Sequence, residues 1–508
     1  MNTGKGSTPG PDSVPAGRHR SERAIVFAMS LAAMTASMML TLVVPILGLI
    51  QHSLDTTVTE VSWVTTAALL AAAVFTPLLG RFGDQFGNKP TLIGVLFMLI
   101  AGTLLAAGTH SMMWLIISRV LQGASIAVFP LALSVLRAEI RPQRLPGAMA
   151  MTSGAFALGG GIAPVAASML TTGAHPDYRS VFWLASGLSV ALLIVVLVLV
   201  PSPQRTVGGR TDILGTLSLA TALVLLLLPV TQGHDWGWSS LSTIACFAGA
   251  VATTAIWVLV ERKVSSPLVD IRMFTHRPVL FANLTGLLIG YGTFVLFIGT
   301  SQLAQIPSQV TGYGFSASML RTSVEFLLPG TIASMLIAPV GGHLVRRHGP
   351  RLVLVLASAT GTTGFTWLAV DRIHAPSVVA AVAFVGLGIG FGYAAMPAII
   401  VASVPQQESG IANGINSISR STGSAIGSAV TTTVLASKSM ENLPAGSAQL
   451  PAASQFTLSF GLAGAASALV ALIAWFGLRR IWVAQHDTAQ ETSSRVVPTE
   501  SEVRTGIK

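Results

Sequence analysis

Some fourteen stretches of about twenty apolar residues follow one another along this chain of 508. Little can be built from such runs except helices in a bilayer. Hydrocarbon offers no partner to a backbone N–H or C=O, so a spanning segment must satisfy its own, and a helix of about 20 residues does this while crossing. The runs lie near 24–50, 61–80, 90–109, 112–136, 147–172, 180–200, 212–231, 241–260, 279–301, 317–340, 351–370, 376–402, 408–436 and 455–478. Two of them, 147–172 and 408–436, are rich in Gly, Ser and Thr. Small residues let helices approach closely, so these two are expected inside the bundle. Charged residues make up 9% of the chain, against roughly 25% in soluble domains.

The net charge of +10 would raise nucleic acid as a partner for a soluble protein. Here the charges sit in short connections, so topology accounts for them and no nucleic acid is expected. With the N-terminus placed in the cytoplasm, 23 of the 29 Lys and Arg fall on the inside. Only Arg179, Arg372 and Lys438 fall outside, while Arg119, Arg321 and Arg420 lie within spans. The asymmetry predicts a multi-pass protein of the cell membrane with both termini cytoplasmic. Residues 1–23 are polar, basic and rich in Gly and Pro, which reads as a disordered tail and not as a cleavable signal. The one cysteine, Cys246, excludes an intramolecular disulfide, and the histidines show no metal-ligand spacing.

A short motif occurs twice. The connection after the second run reads Pro77-Leu78-Leu79-Gly80-Arg81-Phe82-Gly83-Asp84-Gln85-Phe86-Gly87-Asn88-Lys89. An offset of 262 pairs Pro77 with Pro339, Gly80 with Gly342, Gly87 with Gly349 and Lys89 with Arg351. Asp84 pairs with Arg346, so the second copy is the more basic. Both copies on one side of the membrane imply two parallel halves able to rock against each other. Asp84 is placed to pair with a base or to sit at a helix N-terminus as a latch broken during rocking; the alternative is a static turn.

With these motifs in order, the chain resembles the major facilitator superfamily and, within it, the fourteen-spanner drug:proton antiporters, over about residues 24–480. Gly80, Asp84, Gly87 and Lys89 match the superfamily loop motif, and Arg119, Gln122 and Gly123 match the span 4 motif. Gly159, Ala163, Pro164, Ala167 and Ser168 are a softened antiporter motif in span 5, and Pro267, Leu268, Asp270 and Phe274 match a pattern after span 8. The family's first-span carboxylate is absent: aligned on Pro45, its polar positions hold Ala36, Met38 and Thr41. The resemblance implies an all-α membrane fold of 14 transmembrane helices. A six-helix bundle over 24–200 and a second over 279–478 are joined by two inserted linker helices in 201–278, with a cytoplasmic tail over 479–508.

Charges within spans are the candidate site. Arg119 lies deep enough in its span to need a partner and to face a cavity, with Gln122 beside it. Glu325 is the one acid in the interior of a predicted span, and Arg321 stands four residues before it on the same helix face. A carboxylate in a low-dielectric cavity holds its proton to higher pH and a neighbouring guanidinium opposes this, so the pair is a candidate for proton coupling; the alternative is a permanent ion pair. Arg420, with Asn413 and Asn416, gives span 13 a polar stripe suited to substrate contact or to helix packing.

No phosphate-binding loop and no nucleophile–base constellation occurs, so neither ATP-driven transport nor an enzyme is expected, and no cofactor or metal. The expectation is a secondary active exporter of lipophilic small molecules, coupled to protons and surrounded by membrane lipids. A lipid or metabolite transporter with weak or no coupling, and a non-transporting membrane sensor or assembly partner, remain as alternatives.

Overall fold

Glycine and proline decide where the helices stop and bend. The computed structural model describes residues 21–56, 58–172, 176–201, 213–263, 277–405, 409–438 and 450–477. Of the expected N-terminal tail 1–23, residues 1–20 lie outside the described residues, as do the tail 479–508 and the motif at Pro267, Leu268, Asp270 and Phe274, whereas Glu22 and Arg23 already belong to the first helix. Fourteen long helical segments are present: α1 (Glu22–Ser53), α2 (Val58–Phe86), α3 (Asn88–Gly108), α4 (Met112–Glu139), α5 (Leu145–Leu170), α6 (Arg179–Leu199) and α7 (Ile213–Trp236), then α8 (Leu241–Glu261), α9 (Arg277–Gln305), α10 (Met319–His348), α11 (Pro350–Val370), α12 (Ala375–Ser403), α13 (Ser409–Ser437) and α14 (Ala453–Gly477). Twelve are long and apolar enough to cross a bilayer on those grounds alone. The other two are α7, whose apolar stretch is Leu217–Val230, and the Gly/Ser/Thr-rich α13.

Three helices change winding in mid-course. Pro45 lacks an amide hydrogen, and α1 passes through a 3₁₀ turn at Val44–Ile46. α4 does so at Ala124–Ala127, and α10 contains a π turn at Thr322–Leu327. Pro329 follows that turn and cannot donate to the carbonyl four residues back, that of Glu325, so the shift in the ladder has a local cause.

The apolar interior gathers in two halves. One cluster draws its buried residues almost wholly from α1–α6 and includes Ala36, 1% exposed. Two others come from α9–α14, with Trp257 of α8 joining one. α7 and α8 pack together, and α7 lies against α2 and α13, covering that seam. The halves meet chiefly along α5 against α10 and α2 against α13.

The two repeated motifs are tighter than the sequence suggests. α2 continues to Phe86 and α3 begins at Asn88, so a single residue, Gly87, turns the chain. Gly349 alone joins α10 to α11. Their φ values are +101° and +79°, a region favouring glycine. Asp84 and Arg346 therefore stand on the last turns of helices, not in loops as expected.

Candidate functional site

Three layers of polar contacts cross or brace the halves. At the end of the bundle carrying the two glycine turns, backbones approach closely. A Cβ on Gly80 would lie 3.2 Å from the carbonyl oxygen of Gly410 in α13. A Cβ on Gly342 would lie 2.7 Å from the carbonyl oxygen of Pro146 and 2.6 Å from Cβ of Ala150, both in α5. The paired glycines thus mark close contacts between halves at this end. Beside Gly80, the Asp84 carboxylate accepts from the amide of Ile411 at 3.3 Å, in the first turn of α13, where helix amides have no partner of their own. Arg137, at the end of α4, donates to the carbonyls of Val404 at 2.8 Å and Pro405 at 3.2 Å, just past α12. Arg346, the counterpart of Asp84, donates to the carbonyl of Gln143 at 2.9 Å, before α5.

Lys89 and Arg351 brace single halves. The Lys89 ammonium donates to the carbonyls of Val200 at 2.6 Å and Leu197 at 3.3 Å, capping α6. The Arg351 guanidinium lies 4.3 Å over the ring of Trp475 in α14. In α5, Gly159 is pressed on the backbone of Met34 in α1, within one half, and Pro164 lies inside the same helix. The α5 glycines that face α10 are Gly154, against Ala338, and Gly161, against Thr331.

At mid-depth, Arg119 is buried, 1% exposed. It donates to the carbonyls of Val64 at 3.0 Å and Met39 at 3.2 Å and to Oε1 of Gln122, while Gln122 donates to the carbonyl of Gly102 at 3.2 Å. Carbonyl acceptors take the place of a carboxylate partner and tie α1–α4 together. Asn416 is likewise internal, donating to the carbonyl of Ala282 at 2.9 Å and to Oδ1 of Asn283 at 3.2 Å in α9.

Arg420 is different. It is the twelfth of 29 residues in α13, about 16 Å along the helix, and 6% exposed. Insertion scales put the cost of such a charge at about 2.5–3.5 kcal/mol. Three rings surround its guanidinium carbon: Phe129 of α4 at 5.0 Å, Phe156 of α5 at 5.3 Å and Tyr393 of α12 at 5.1 Å. The rings come from both halves and touch one another, with centroids 4.8 Å apart for Phe129 and Phe156 and 6.2 Å for Phe156 and Tyr393. Sequence reading missed all three. A lone Phe or Tyr in an apolar run carries no signal of what it faces.

Arg321 and Glu325 form the expected pair, with Nε donating to Oε2 at 2.6 Å, but not in a buried cavity. The side chains are 50% and 36% exposed, in the first turns of α10 and at the opposite end from the glycine turns. Glu261, the last residue of α8, is buried as well, at the end of its span.

Fourteen helices in two halves with parallel motifs, and a charged seam between them, define a multi-pass membrane transporter. The sequence profile of the Major Facilitator Superfamily matches residues 29–428 and again 326–505. The chain belongs to that family, whose members here are transporters and not enzymes. It is similar to the tetracenomycin C resistance and export protein of Streptomyces glaucescens, 28% identical over 77% of this chain and 71% of that one. It is also similar to the uridine/deoxyuridine transporter of Lactococcus lactis subsp. cremoris, 29% identical over 77% of this chain and 83% of that one. Among solved structures, the human organic anion transporter MFSD10 (TETRAN) superposes with a TM-score of 0.63 at 14% identity, covering 89% of this chain and 99% of that one. That likeness speaks to the fold.

Proposed function

We propose that this chain is a secondary active exporter of lipophilic small molecules in the cell membrane, working by alternating access as α1–α6 rock against α9–α14. The observation that carries the reading is the arrangement of the seam. Paired glycines close it at one end, and a charged, ring-lined cluster shared by both halves lies at mid-depth. The closed end is the cytoplasmic one, on the count of 23 inner against 3 outer basic residues. Export as the direction follows the printed role of the Streptomyces relative. The test is substrate flux in proteoliposomes, with and without a pH gradient; a protein that moves no lipophilic compound under either condition sinks the proposal.

Proton coupling belongs to the same reading, with Glu325 as carrier. Its partner Arg321, its half-exposed position and the π turn around it make a site that water and helix movement can both reach. Glu325→Gln then abolishes gradient-driven accumulation while sparing exchange at equal pH. Intact accumulation in that variant moves the coupling elsewhere. A second reading, a metabolite transporter without coupling, is favoured by Ala36 in place of the family's first-span carboxylate and by the nucleoside-transporting relative. It expects flux indifferent to the gradient.

A further inference from the structure

The cluster at Arg420 specifies a charge for the transported compound, an inference that rests on the transport reading above. A guanidinium carries five N–H donors. Among the described residues, Arg420 makes one hydrogen bond, from Nη2 to Oγ of Ser417 at 3.3 Å. The three rings lie over the cation, and among the described residues none of them accepts a hydrogen bond from it. Buried polar groups are ordinarily paired, and a buried charge above all. No carboxylate forms an ion pair with Arg420 among the described residues.

A second observation points the same way. Ser125 stands four residues before Phe129 on α4, and Ser153 three residues before Phe156 on α5, each on the face of its ring. Both hydroxyls are fully buried and neither has a hydrogen-bond partner. The seam thus holds an uncompensated cation and three contiguous rings, contributed by α4, α5, α12 and α13, and by helical spacing two unused hydroxyls share the helix faces of Phe129 and Phe156.

We infer that this cluster is a binding site for flat aromatic anions, in which a carboxylate or phenolate oxygen takes the free donors of Arg420 and the aromatic body lies against Phe129, Phe156 and Tyr393. A carboxylate matches the planar fork of a guanidinium, and the match is strongest where water is excluded. An organic cation of the same shape meets a buried positive charge and is rejected. A neutral analogue keeps the ring contacts and loses the ionic one.

Three probes of one shape separate these cases: pyrene-1-carboxylate, pyrene-1-methanol and pyrene-1-methylammonium, titrated by fluorescence against the full-length protein in lipid nanodiscs. The carboxylate should bind tightest, about tenfold over the alcohol and more over the ammonium. Arg420→Gln should weaken the carboxylate by about tenfold and leave the alcohol within about twofold, which also reports that the variant is folded. Should Arg420→Gln fail to fold, Arg420→Lys keeps the charge but not the planar fork, and should bind the carboxylate at an intermediate level. A wild-type protein that prefers the ammonium, binds no carboxylate, or keeps its preference when Arg420 is replaced by Gln overturns the inference. Flux of the same probes in proteoliposomes separates it from the transport reading. Transport of the alcohol without preference for the carboxylate sinks the anion site alone. Ranked binding with no flux of any probe sinks the transporter and keeps the site.

Discussion

The α2–α3 turn and the α10–α11 turn occupy equivalent places 262 residues apart, yet they close on the opposite half by different forces. Their backbones agree. Gly87 and Gly349 both turn at positive φ, and Gly80 and Gly342 both let a helix of the other half come close. Their charges disagree, and the partners follow. The first turns of α13 and α5 present the positive ends of helices. A carboxylate suits that environment, and Asp84 accepts from Ile411. A guanidinium does not, so Arg346 passes the helix start and donates to the carbonyl of Gln143. The lesson is that a repeat preserves geometry while each copy finds its own electrostatic solution.

The largest effect should come from overfilling the close contacts. Gly342→Ala places a methyl group within 3 Å of two α5 atoms, whereas Gly80→Ala meets one carbonyl oxygen at 3.2 Å. Overpacking costs about 1–3 kcal/mol where neighbours cannot yield. Spin labels at Asn88 and Pro350 should therefore show a marked shift toward longer distances in Gly342→Ala and a smaller one in Gly80→Ala. Equal responses would mean that the two contacts are interchangeable after all.

Charge removal should do less. Asp84→Asn loses a carboxylate at a helix N-terminus, about 0.3–1 kcal/mol, enough to shift the closed population by a few-fold in the same measurement. Arg346→Gln removes one exposed hydrogen bond between the halves and should shift it by less. High salt should narrow the gap between wild type and Asp84→Asn, because screening already weakens the interaction. A larger effect at Arg346 than at Asp84 would break the comparison. Smallest of all should be Lys89→Met and Arg351→Met. Each removes a brace inside one half, worth at most about 1 kcal/mol, and should lower the melting temperature slightly without moving the label distances.

Much of the fold was legible before any coordinates. Apolar runs become helices because nothing else satisfies a backbone in hydrocarbon, and the 262-residue offset exposed the two halves. Helix ends were less legible. Runs expected to stop at 80 and 340 continue to Phe86 and His348, since charged residues at the end of a span resemble a loop while a helix stops only where the chain must turn. In the candidate site, Arg119, Gln122, Asn416 and Arg420 were all found as polar residues within spans. Their separate fates were not visible. The first three bond to backbone carbonyls or side-chain oxygens within their own half, and Arg420 alone reaches the seam.

Sequence alone determined the class of the molecule, the number of long helices and the equivalence of the two turns, because these depend on local composition and on distances counted along the chain. Tertiary structure alone decided that Arg420, and not Arg119 or Glu325, is the charge between the halves at mid-depth. Phe129, Phe156 and Tyr393 lie on three other helices, the nearest in sequence 27 residues away. Only the packing of those helices brings their rings to about 5 Å from one guanidinium.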